Sequence, residues 1–157
     1  MSDRIDVLHV DDDPSVLDLT AAYLERELES VAVASVTEPS AALDALADDA
    51  FDCVISDYDM PGTDGLALFE TIHAEHHRLP FVLYTGKGSE EIASQALNAG
   101  VTGYFQKGGP EQLRRLANRV DQAVEEHRTR TRDYETDTLA QLETLADHLR
   151  STVEVKA

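Results

Sequence analysis

Residues 51–65 read FDCVISDYDMPGTDG, a short apolar run followed by acidic, proline and glycine residues. Apolar runs of this length that carry β-branched side chains are typical of buried strands, and proline and glycine mark the turn that follows. Asp57 therefore stands at the end of a predicted strand, and a helical spacing of apolar residues begins at Leu66. This strand, turn and helix form the unit from which the rest of the chain can be interpreted.

The same alternation continues on both sides of this unit. Apolar runs predict five strands, at residues 5–10, 31–36, 51–56, 80–85 and 102–106. Helical spacing predicts helices at Ser15–Leu28, Ser40–Asp48, Leu66–His77 and Ser89–Ala99, and a fifth helix that starts near Pro110. Strict alternation with short connections predicts a doubly wound α/β fold, in which a five-stranded parallel sheet is covered by five helices.

Local residue types support these helix boundaries. Pro39 and Pro110 are suited to the first turn of a helix, because proline has no N–H to leave unpaired there. Ser89 is a typical N-cap residue. Gly100 is suited to the left-handed conformation that ends many helices.

The last part of the chain differs in character. Residues 125–137, EEHRTRTRDYETD, contain no strand pattern and no proline or glycine, so we expect the fifth helix to continue. Five apolar residues then recur at spacings of three and four, which defines a short heptad seam: Leu139, Leu142, Ala146, Leu149 and Val153. We therefore divide the chain into a domain over 1–125 and a helical tail over 126–157, which is a candidate coiled coil or linker helix.

Composition narrows the function classes. The net charge is −18, from 31 acidic and 13 basic residues, and the lysines are Lys87, Lys107 and Lys156. Such a surface excludes nucleic acid as the expected partner. The sequence contains no secretory leader pattern and no apolar run long enough to span a bilayer, so we expect a cytoplasmic protein without membrane insertion. Cys53 is the single cysteine and is predicted to be a buried apolar residue.

Polar side chains collect where the predicted strands end. Ligands of doubly wound proteins bind at the carboxyl ends of the strands, and the first, third, fourth and fifth strands are neighbours in such a sheet. The residues at these four strand ends are Asp11, Asp12, Asp13, Asp57, Asp59, Thr85 and Lys107. We therefore expect several carboxylates, one hydroxyl and one ammonium to share a single pocket.

This set of groups indicates phosphoryl transfer to a carboxylate. Clustered carboxylates require a cation if they are to stay ionised, and hard oxygen ligands favour Mg²⁺. A carboxylate attacks phosphorus in line, while a metal and an ammonium neutralise charge on the equatorial oxygens. The chemistry is therefore positioning plus electrostatic stabilisation.

Four segments resemble the response-regulator receiver family of two-component signalling: VDDDP at 10–14, SDYDMPGTDG at 56–65, YTG at 84–86 and GYFQK at 103–107. The resemblance implies a flavodoxin-like strand order 2-1-3-4-5. It also implies that Asp57 accepts a phosphoryl group, with Thr85 and Lys107 as the other catalytic residues. For Mg²⁺ it implies direct binding by Asp12, binding through water by Asp11, and ligands from Asp57 and the backbone carbonyl of Asp59.

The resemblance further implies how the domain signals. Thr85 and Tyr104 match the hydroxyl and the aromatic residue that relay phosphorylation to the face built by the fourth helix, fifth strand and fifth helix. The donor would be a histidine kinase or a histidine phosphotransfer protein, and the domain would catalyse only its own phosphorylation and dephosphorylation. The strings at 79–91 and 99–109 look most like receivers of halophilic archaea, many of which precede sensor and histidine kinase modules.

Two positions depart from the family pattern. Gly108 follows Lys107 where the family usually has proline, so we expect a looser turn beside the ammonium. Asp59 places a second carboxylate two residues beyond Asp57. Its side chain is expected either to bind the water shell of the metal or to repel phosphate.

Other functions remain open at this point. Asp57-Tyr58-Asp59 is also the Asp-x-Asp of a haloacid dehalogenase-type phosphatase, although that family places the pair on its first strand. A pure interaction module and the N-terminal receiver of a larger hybrid sensor kinase are further alternatives. Homodimers are expected through the tail or through the face that includes Tyr104. His9 lies inside the first strand and is expected to be a hydrogen-bonded core residue.

Overall fold

A computed structural model of the protein describes residues 4–86 and 88–156, with side chains described outside 133–137 and 151–156. Within these ranges the strands are β1 Ile5–Val10, β2 Val31–Val36, β3 Cys53–Ser56, β4 Asp59–Met60, β5 Thr63–Asp64, β6 Phe81–Thr85 and β7 Gly103–Gln106. The helices are α1 Pro14–Glu27, α2 Pro39–Asp48, α3 Gly65–Glu75, α4 Glu90–Ala99 and α5 Pro110–Lys156.

The main sheet has five parallel strands in the order β2-β1-β3-β6-β7. These are the five strands that the sequence predicts, and their order confirms the predicted 2-1-3-4-5 arrangement. Val10 pairs with Ser56, and Ser56 pairs with Leu83, so the carboxyl ends of β1, β3 and β6 lie side by side. The register therefore brings the residues that follow these strands to one edge of the sheet.

A two-stranded antiparallel hairpin, β4 and β5, was not predicted. Asp59 pairs with Asp64 and Met60 with Thr63, and Gly62 adopts a positive φ of 88° in the turn between them. Strands of two residues are too short to show an alternating pattern, so the sequence indicates only a turn here. The hairpin fixes the backbone between Asp57 and the first turn of α3.

Two apolar layers cover the two faces of the sheet because successive strand residues point to opposite sides. Leu8 and Val10 of β1 pack with residues of α2, α3 and α4, whereas Ile5 and Val7 pack with α1 and the first turns of α5. Cys53 belongs to the second layer and is fully buried, and burial raises the pKa of its thiol to about 12. The expectation of a buried cysteine is confirmed.

Helix ends agree with the residue types at them. The hydroxyl of Ser89 accepts a hydrogen bond from the backbone N–H of Ile92 at 3.0 Å, as an N-cap does. Gly100 ends α4 with a φ of 111°, a conformation that side chains disfavour. Pro39 and Pro110 are the first residues of α2 and α5. The predicted boundaries of these elements are confirmed to within two residues.

His9 lies inside β1 and is a core residue, but the expectation that it is hydrogen bonded is wrong. Its side chain is fully buried, and neither ring nitrogen has a hydrogen-bond partner among the described residues. Burial, with a smaller effect from the charge of Lys107, lowers the pKa of His9 from 6.5 to about 3. The imidazole is therefore neutral over the whole range in which an exposed histidine titrates.

The chain divides into two compact units, Met1–Val124 and Glu125–Ala157. The expected continuation of the fifth helix is confirmed, because α5 runs without interruption to Lys156. In the second unit Leu139, Leu142 and Leu149 of the heptad seam are 56–60% exposed. Val153, the last seam residue, has a side chain outside the described residues. None of the described helices combines the length and the apolar character needed to cross a membrane.

Candidate functional site

Three carboxylates meet at the carboxyl edge of the sheet. Asp11 and Asp12 follow β1 directly, and Asp57 follows β3. Each offers one carboxylate oxygen, and these three atoms all lie within 4.8 Å of one another. Asp11 is fully buried and Asp57 is 6% exposed, whereas Asp12 is open to solvent. The cluster has therefore a buried floor and an accessible rim.

Backbone hydrogen bonds hold Asp57 firmly in this position. Its N–H donates to the carbonyl oxygen of Val10 at 2.9 Å, which continues the ladder between β1 and β3 by one residue. Its Oδ1 accepts a hydrogen bond from the N–H of Tyr58 at 2.8 Å. The other oxygen, Oδ2, lies 3.3 Å from Nζ of Lys107. One carboxylate oxygen is thus fixed by the backbone, and the second faces the ammonium.

Lys107 reaches the cluster from the end of β7. Its N–H donates to the carbonyl oxygen of Thr85 at 2.8 Å, and its Nζ lies 2.6 Å from Oδ2 of Asp11. Burial works against the charged ammonium, but Asp11 and Asp57 outweigh burial and raise the pKa of Lys107 above its ordinary value. Gly108, which replaces the usual proline, does not prevent the ammonium from bridging Asp11 and Asp57 in this structure.

Asp13 has a different structural role from Asp11 and Asp12. Its Oδ1 accepts hydrogen bonds from the backbone N–H of Ser15 at 3.0 Å and from the Ser15 hydroxyl at 2.7 Å, which makes it the N-cap of α1. These hydrogen bonds lower the pKa of Asp13. The acidic run after β1 therefore separates into one capping residue and two residues that belong to the carboxylate cluster.

The cluster fits a divalent cation. The carboxylates of Asp11, Asp12 and Asp57 face one ammonium, that of Lys107, which leaves an excess of two negative charges when all of them are ionised. Burial, followed by smaller effects that include the charge of Asp57, raises the pKa of Asp11. Oxygen donors at a partly hydrated site are what Mg²⁺ prefers. The Asp59 carboxylate is not part of this group.

Thr85 and Tyr104 lie on neighbouring strands next to the cluster. Thr85 ends β6 and is fully buried, and Tyr104 lies in β7, where it pairs with Leu83. The ring of Tyr104 is half-buried against the first apolar layer. Its hydroxyl is buried and has no hydrogen-bond partner among the residues that the structure describes. All the sequence-predicted site residues thus lie on β1, β3, β6 and β7, on the hairpin, or on the residues that follow them.

Gly65 is required at the site, although the sequence analysis assigned it no role. A Cβ atom on this residue would lie 2.3 Å from the carbonyl oxygen of Asp57, and its N–H donates to the carbonyl oxygen of Tyr58 at 2.7 Å. The start of α3 therefore packs directly on the backbone of Asp57, at a distance that only glycine permits. The sequence feature that could have indicated this role is the glycine at the end of the PGTDG turn.

Comparison with known proteins identifies the class to which this fold and site belong. The model of the response regulator receiver domain matches residues 7–121. The chain is 38% identical over 129 residues to the C4-dicarboxylate transport transcriptional regulatory protein DctD of Rhizobium meliloti, covering 82% of this chain and 27% of that protein. It is 30% identical over 115 residues to the transcriptional regulatory protein FixJ of Bradyrhizobium diazoefficiens, covering 73% and 54%.

Solved structures agree with these relatives. The chain superposes on NtrX from Brucella abortus, solved in complex with ADP, with a TM-score of 0.75 and 30% identity, covering 85% of this chain and 30% of that one. The protein belongs to the response regulator receiver domain family. It spans about half or less of the length of the curated relatives named here.

Proposed function

We propose that this receiver domain accepts a phosphoryl group on Asp57 from a histidine kinase or a histidine phosphotransfer protein. The observation that carries the proposal is the convergence of a second and third carboxylate and of one ammonium on Asp57. The Oδ2 atom of Asp57 is the nucleophile, because Oδ1 is held by the N–H of Tyr58. The Nζ of Lys107 stabilises negative charge on the transferred group.

Magnesium is the cofactor that the donor set fits. Asp12, which follows β1 and is exposed, would bind the metal directly, together with Asp57 and the backbone carbonyl oxygen of Asp59. Asp11 would act through water, since its Oδ2 is paired with Lys107 and its Oδ1 accepts the N–H of Asp13 at 2.9 Å. When bound, the metal supplies charge neutralisation for the phosphoryl oxygens.

The output of the domain is a change of conformation. Thr85 is the hydroxyl that binds the new phosphoryl group, and Tyr104 on the next strand transmits the change to the surface of α4, β7 and α5. The buried, unpartnered hydroxyl of Tyr104 supports this role, since a group that gains no hydrogen bond in one position loses little by leaving it. The only chemistry that this account assigns to the domain is its own phosphorylation and dephosphorylation.

The Asp-x-Asp of a phosphatase receives less support from the geometry. In that alternative Asp59 would take part in the chemistry next to Asp57. Its side chain instead is exposed, and its residue pairs with Asp64 in the β4–β5 hairpin. The carboxylates that approach Asp57 come from the end of β1.

Two further proposals concern the setting of the domain. The net charge of −18 and the scarcity of lysine support adaptation to a cytoplasm of high salt, as in halophilic archaea, because molar salt shortens the range of self-repulsion to about 3 Å. The exposed seam leucines Leu139, Leu142 and Leu149 support a parallel homodimer, since an apolar stripe at heptad spacing is stabilised by a second copy. The tail would then carry the signal to whatever follows in a longer kinase.

Labelling tests the proposed phosphoacceptor. With acetyl phosphate and Mg²⁺, intact mass spectrometry should detect one added phosphoryl group that is labile to base. Asp57→Asn removes the nucleophile and should abolish the label. Asp59→Asn is the matched control, because it makes the same change two residues away and keeps the backbone carbonyl. Equal labelling of wild type and Asp57→Asn would refute the assignment.

A further inference from the structure

Gly88 lies in the connection between β6 and α4, where two side chains of β7 leave it no room. A Cβ atom at residue 88 would lie 2.2 Å from the hydroxyl oxygen of Tyr104 and 2.6 Å from Nε2 of Gln106. Non-bonded heavy atoms pack best at roughly 3.5–4.0 Å, so a side chain at residue 88 fits only if the ends of the Tyr104 and Gln106 side chains move away. Both contacts are with the ends of side chains and not with backbone.

The hydroxyl of Tyr104 occupies the space that the missing side chain leaves. We call this space, bounded by Gly88 and Gln106, the Gly88 niche. The hydroxyl is buried there without a hydrogen-bond partner among the described residues. The ring is held by apolar packing against the first core layer. Steric fit and apolar packing therefore hold the hydroxyl in the niche. In this position the hydroxyl does not make the hydrogen bonds that it would make with water.

An alternative place for the ring lies next to the niche. A surface cavity of about 520 Å³ is lined by Gly88, Tyr104 and Gln106, by Ser89 at the N-cap of α4, and by residues of α4 and α5 that include Glu90 and Arg115. A tyrosine ring that left the niche would have this cavity available, and its hydroxyl would meet polar side chains and solvent there. Such a move would exchange apolar burial for hydrogen bonding, which makes its balance sensitive to a small steric change.

We propose that Gly88 is the positioning residue of Tyr104: its missing side chain creates the niche that holds the tyrosine hydroxyl inside, and a side chain at residue 88 displaces the ring into the surface cavity. The consequence for signalling rests on the proposed function. A receiver with its tyrosine held outside has one surface at α4 and β7 whether or not Asp57 is phosphorylated, and its output no longer follows the phosphoryl group.

The test measures the position of Tyr104 directly, in full-length protein without any phosphoryl donor. Incorporated 3-fluorotyrosine gives one ¹⁹F NMR signal for each of the five tyrosines. The signal that is lost in Tyr104→Phe belongs to Tyr104. A soluble paramagnetic agent then reports how exposed that ring is.

In wild type the Tyr104 signal should be protected from the agent, and Gly88→Ala should increase its paramagnetic relaxation severalfold. Gly109→Ala is the matched control, because a Cβ atom there would meet nothing within 4 Å, and it should leave the signal as in wild type. Protection that is equal in wild type and Gly88→Ala would overturn the proposal.

A thermodynamic cycle keeps the proposal testable if Gly88→Ala is unstable. The Tyr104→Phe substitution removes the oxygen that lies nearest to the new methyl group. Gly88→Ala should therefore lower the melting temperature less in the Tyr104→Phe background than in wild type. If the double variant folds and the single variant does not, the niche is supported. An equal loss in both backgrounds, or a failure of both variants to fold, would contradict it.

Adding beryllium fluoride and Mg²⁺, which mimic the phosphoryl group, separates this proposal from the proposed function. The mimic should shift the Tyr104 signal of wild type and should leave the Tyr104 signal of Gly88→Ala unchanged. A wild-type signal that ignores the mimic refutes the relay from Thr85 to Tyr104, whereas the niche is judged by the protection measured before the mimic is added.

Discussion

The two units of the chain differ in how their apolar residues are used. In residues 4–124 most apolar side chains of the strands pack in two layers, and the sheet aligns groups that are far apart in sequence, such as Asp11, Asp57 and Lys107. In the second unit the structure is one helix, and its leucines at 139, 142, 145 and 149 are 54–60% exposed. The family match ends at residue 121. The proposed function therefore rests on the geometry of the first unit, whereas the second unit contributes an exposed apolar surface.

The largest effect that we expect is on the rate of phosphoryl labelling, and it should depend on residues of the first unit alone. Lys107→Ala removes the ammonium beside Asp57 and should slow labelling by acetyl phosphate about 100-fold, the range found when one donor to a developing charge is lost. A chain truncated after Glu126 should label at the wild-type rate. Intact mass spectra of samples quenched at successive times measure the labelling rate of both variants. A truncated chain that labels as slowly as Lys107→Ala would break the division between the units.

A buried and an exposed histidine provide the next comparison. Because the pKa of His9 is lowered from 6.5 to about 3, the unfolded chain binds a proton that the folded chain rejects. The contribution of neutral His9 to the free energy of unfolding is present above pH 6.5, the pKa of histidine in the unfolded chain. That contribution is lost as the pH falls below about 6.5. Between about pH 7 and pH 5 this protonation of the unfolded chain lowers the free energy of unfolding of wild type by about 2 kcal/mol.

The matched variants separate that contribution from the rest of the acid response. His9→Leu should lose about 2 kcal/mol less stability than wild type over the same pH interval in urea unfolding, because leucine does not titrate. His148→Gln alters an exposed histidine of the tail and should follow wild type. If wild type and His9→Leu lose equal stability, His9 is not held neutral by the fold.

Asp11 and Asp12, the two residues after β1 that belong to the carboxylate cluster, should differ in their effect on metal binding. Asp12→Ala removes the proposed direct ligand and should weaken Mg²⁺ binding by well over tenfold. Asp11→Ala removes an outer partner and should weaken it about tenfold. Isothermal titration calorimetry measures both affinities, with Asp13→Asn as a control that changes only the cap of α1. Equal losses for the two alanine variants would contradict the assigned roles.

The smallest expected effect concerns the tail. The proposed dimer rests on two heptads and would be weak, and Leu142→Glu should abolish it by placing a charge in the seam. Gln141→Glu adds the same carboxylate outside the seam and should leave the dimer intact. Light scattering in high salt at tens of micromolar measures the mass. If the full chain and a chain ending at Glu126 are both monomeric, the seam does not form a dimer.

Much of the first unit was predictable because its information is local. Apolar runs identified all five strands of the main sheet, and Ser89 and Gly100 marked the ends of α4. The site followed from the rule that parallel strands gather their carboxyl ends at one edge. These predictions needed no knowledge of side-chain conformation.

What the sequence could not supply depends on close contacts. The β4–β5 hairpin is too short to show a pattern, and the separation of Asp13 from Asp11 and Asp12 appears only in hydrogen bonds. Gly65 is required by a steric contact with the backbone of Asp57, and Gly88 leaves the space that the Tyr104 hydroxyl occupies; both partners lie elsewhere in the chain. Nothing local reveals such contacts, since glycine is also common in ordinary turns.

Trapping the phosphoryl group at its position tests the central claim most directly. Wild type is labelled with acetyl phosphate and Mg²⁺ and then treated with borohydride, which reduces an acyl phosphate to an alcohol. Peptide mass spectrometry should then find residue 57 converted from aspartate to homoserine, with Asp11, Asp12 and Asp59 unchanged. Labelled protein in which residue 57 remains aspartate, or in which another carboxylate is reduced, would contradict the account.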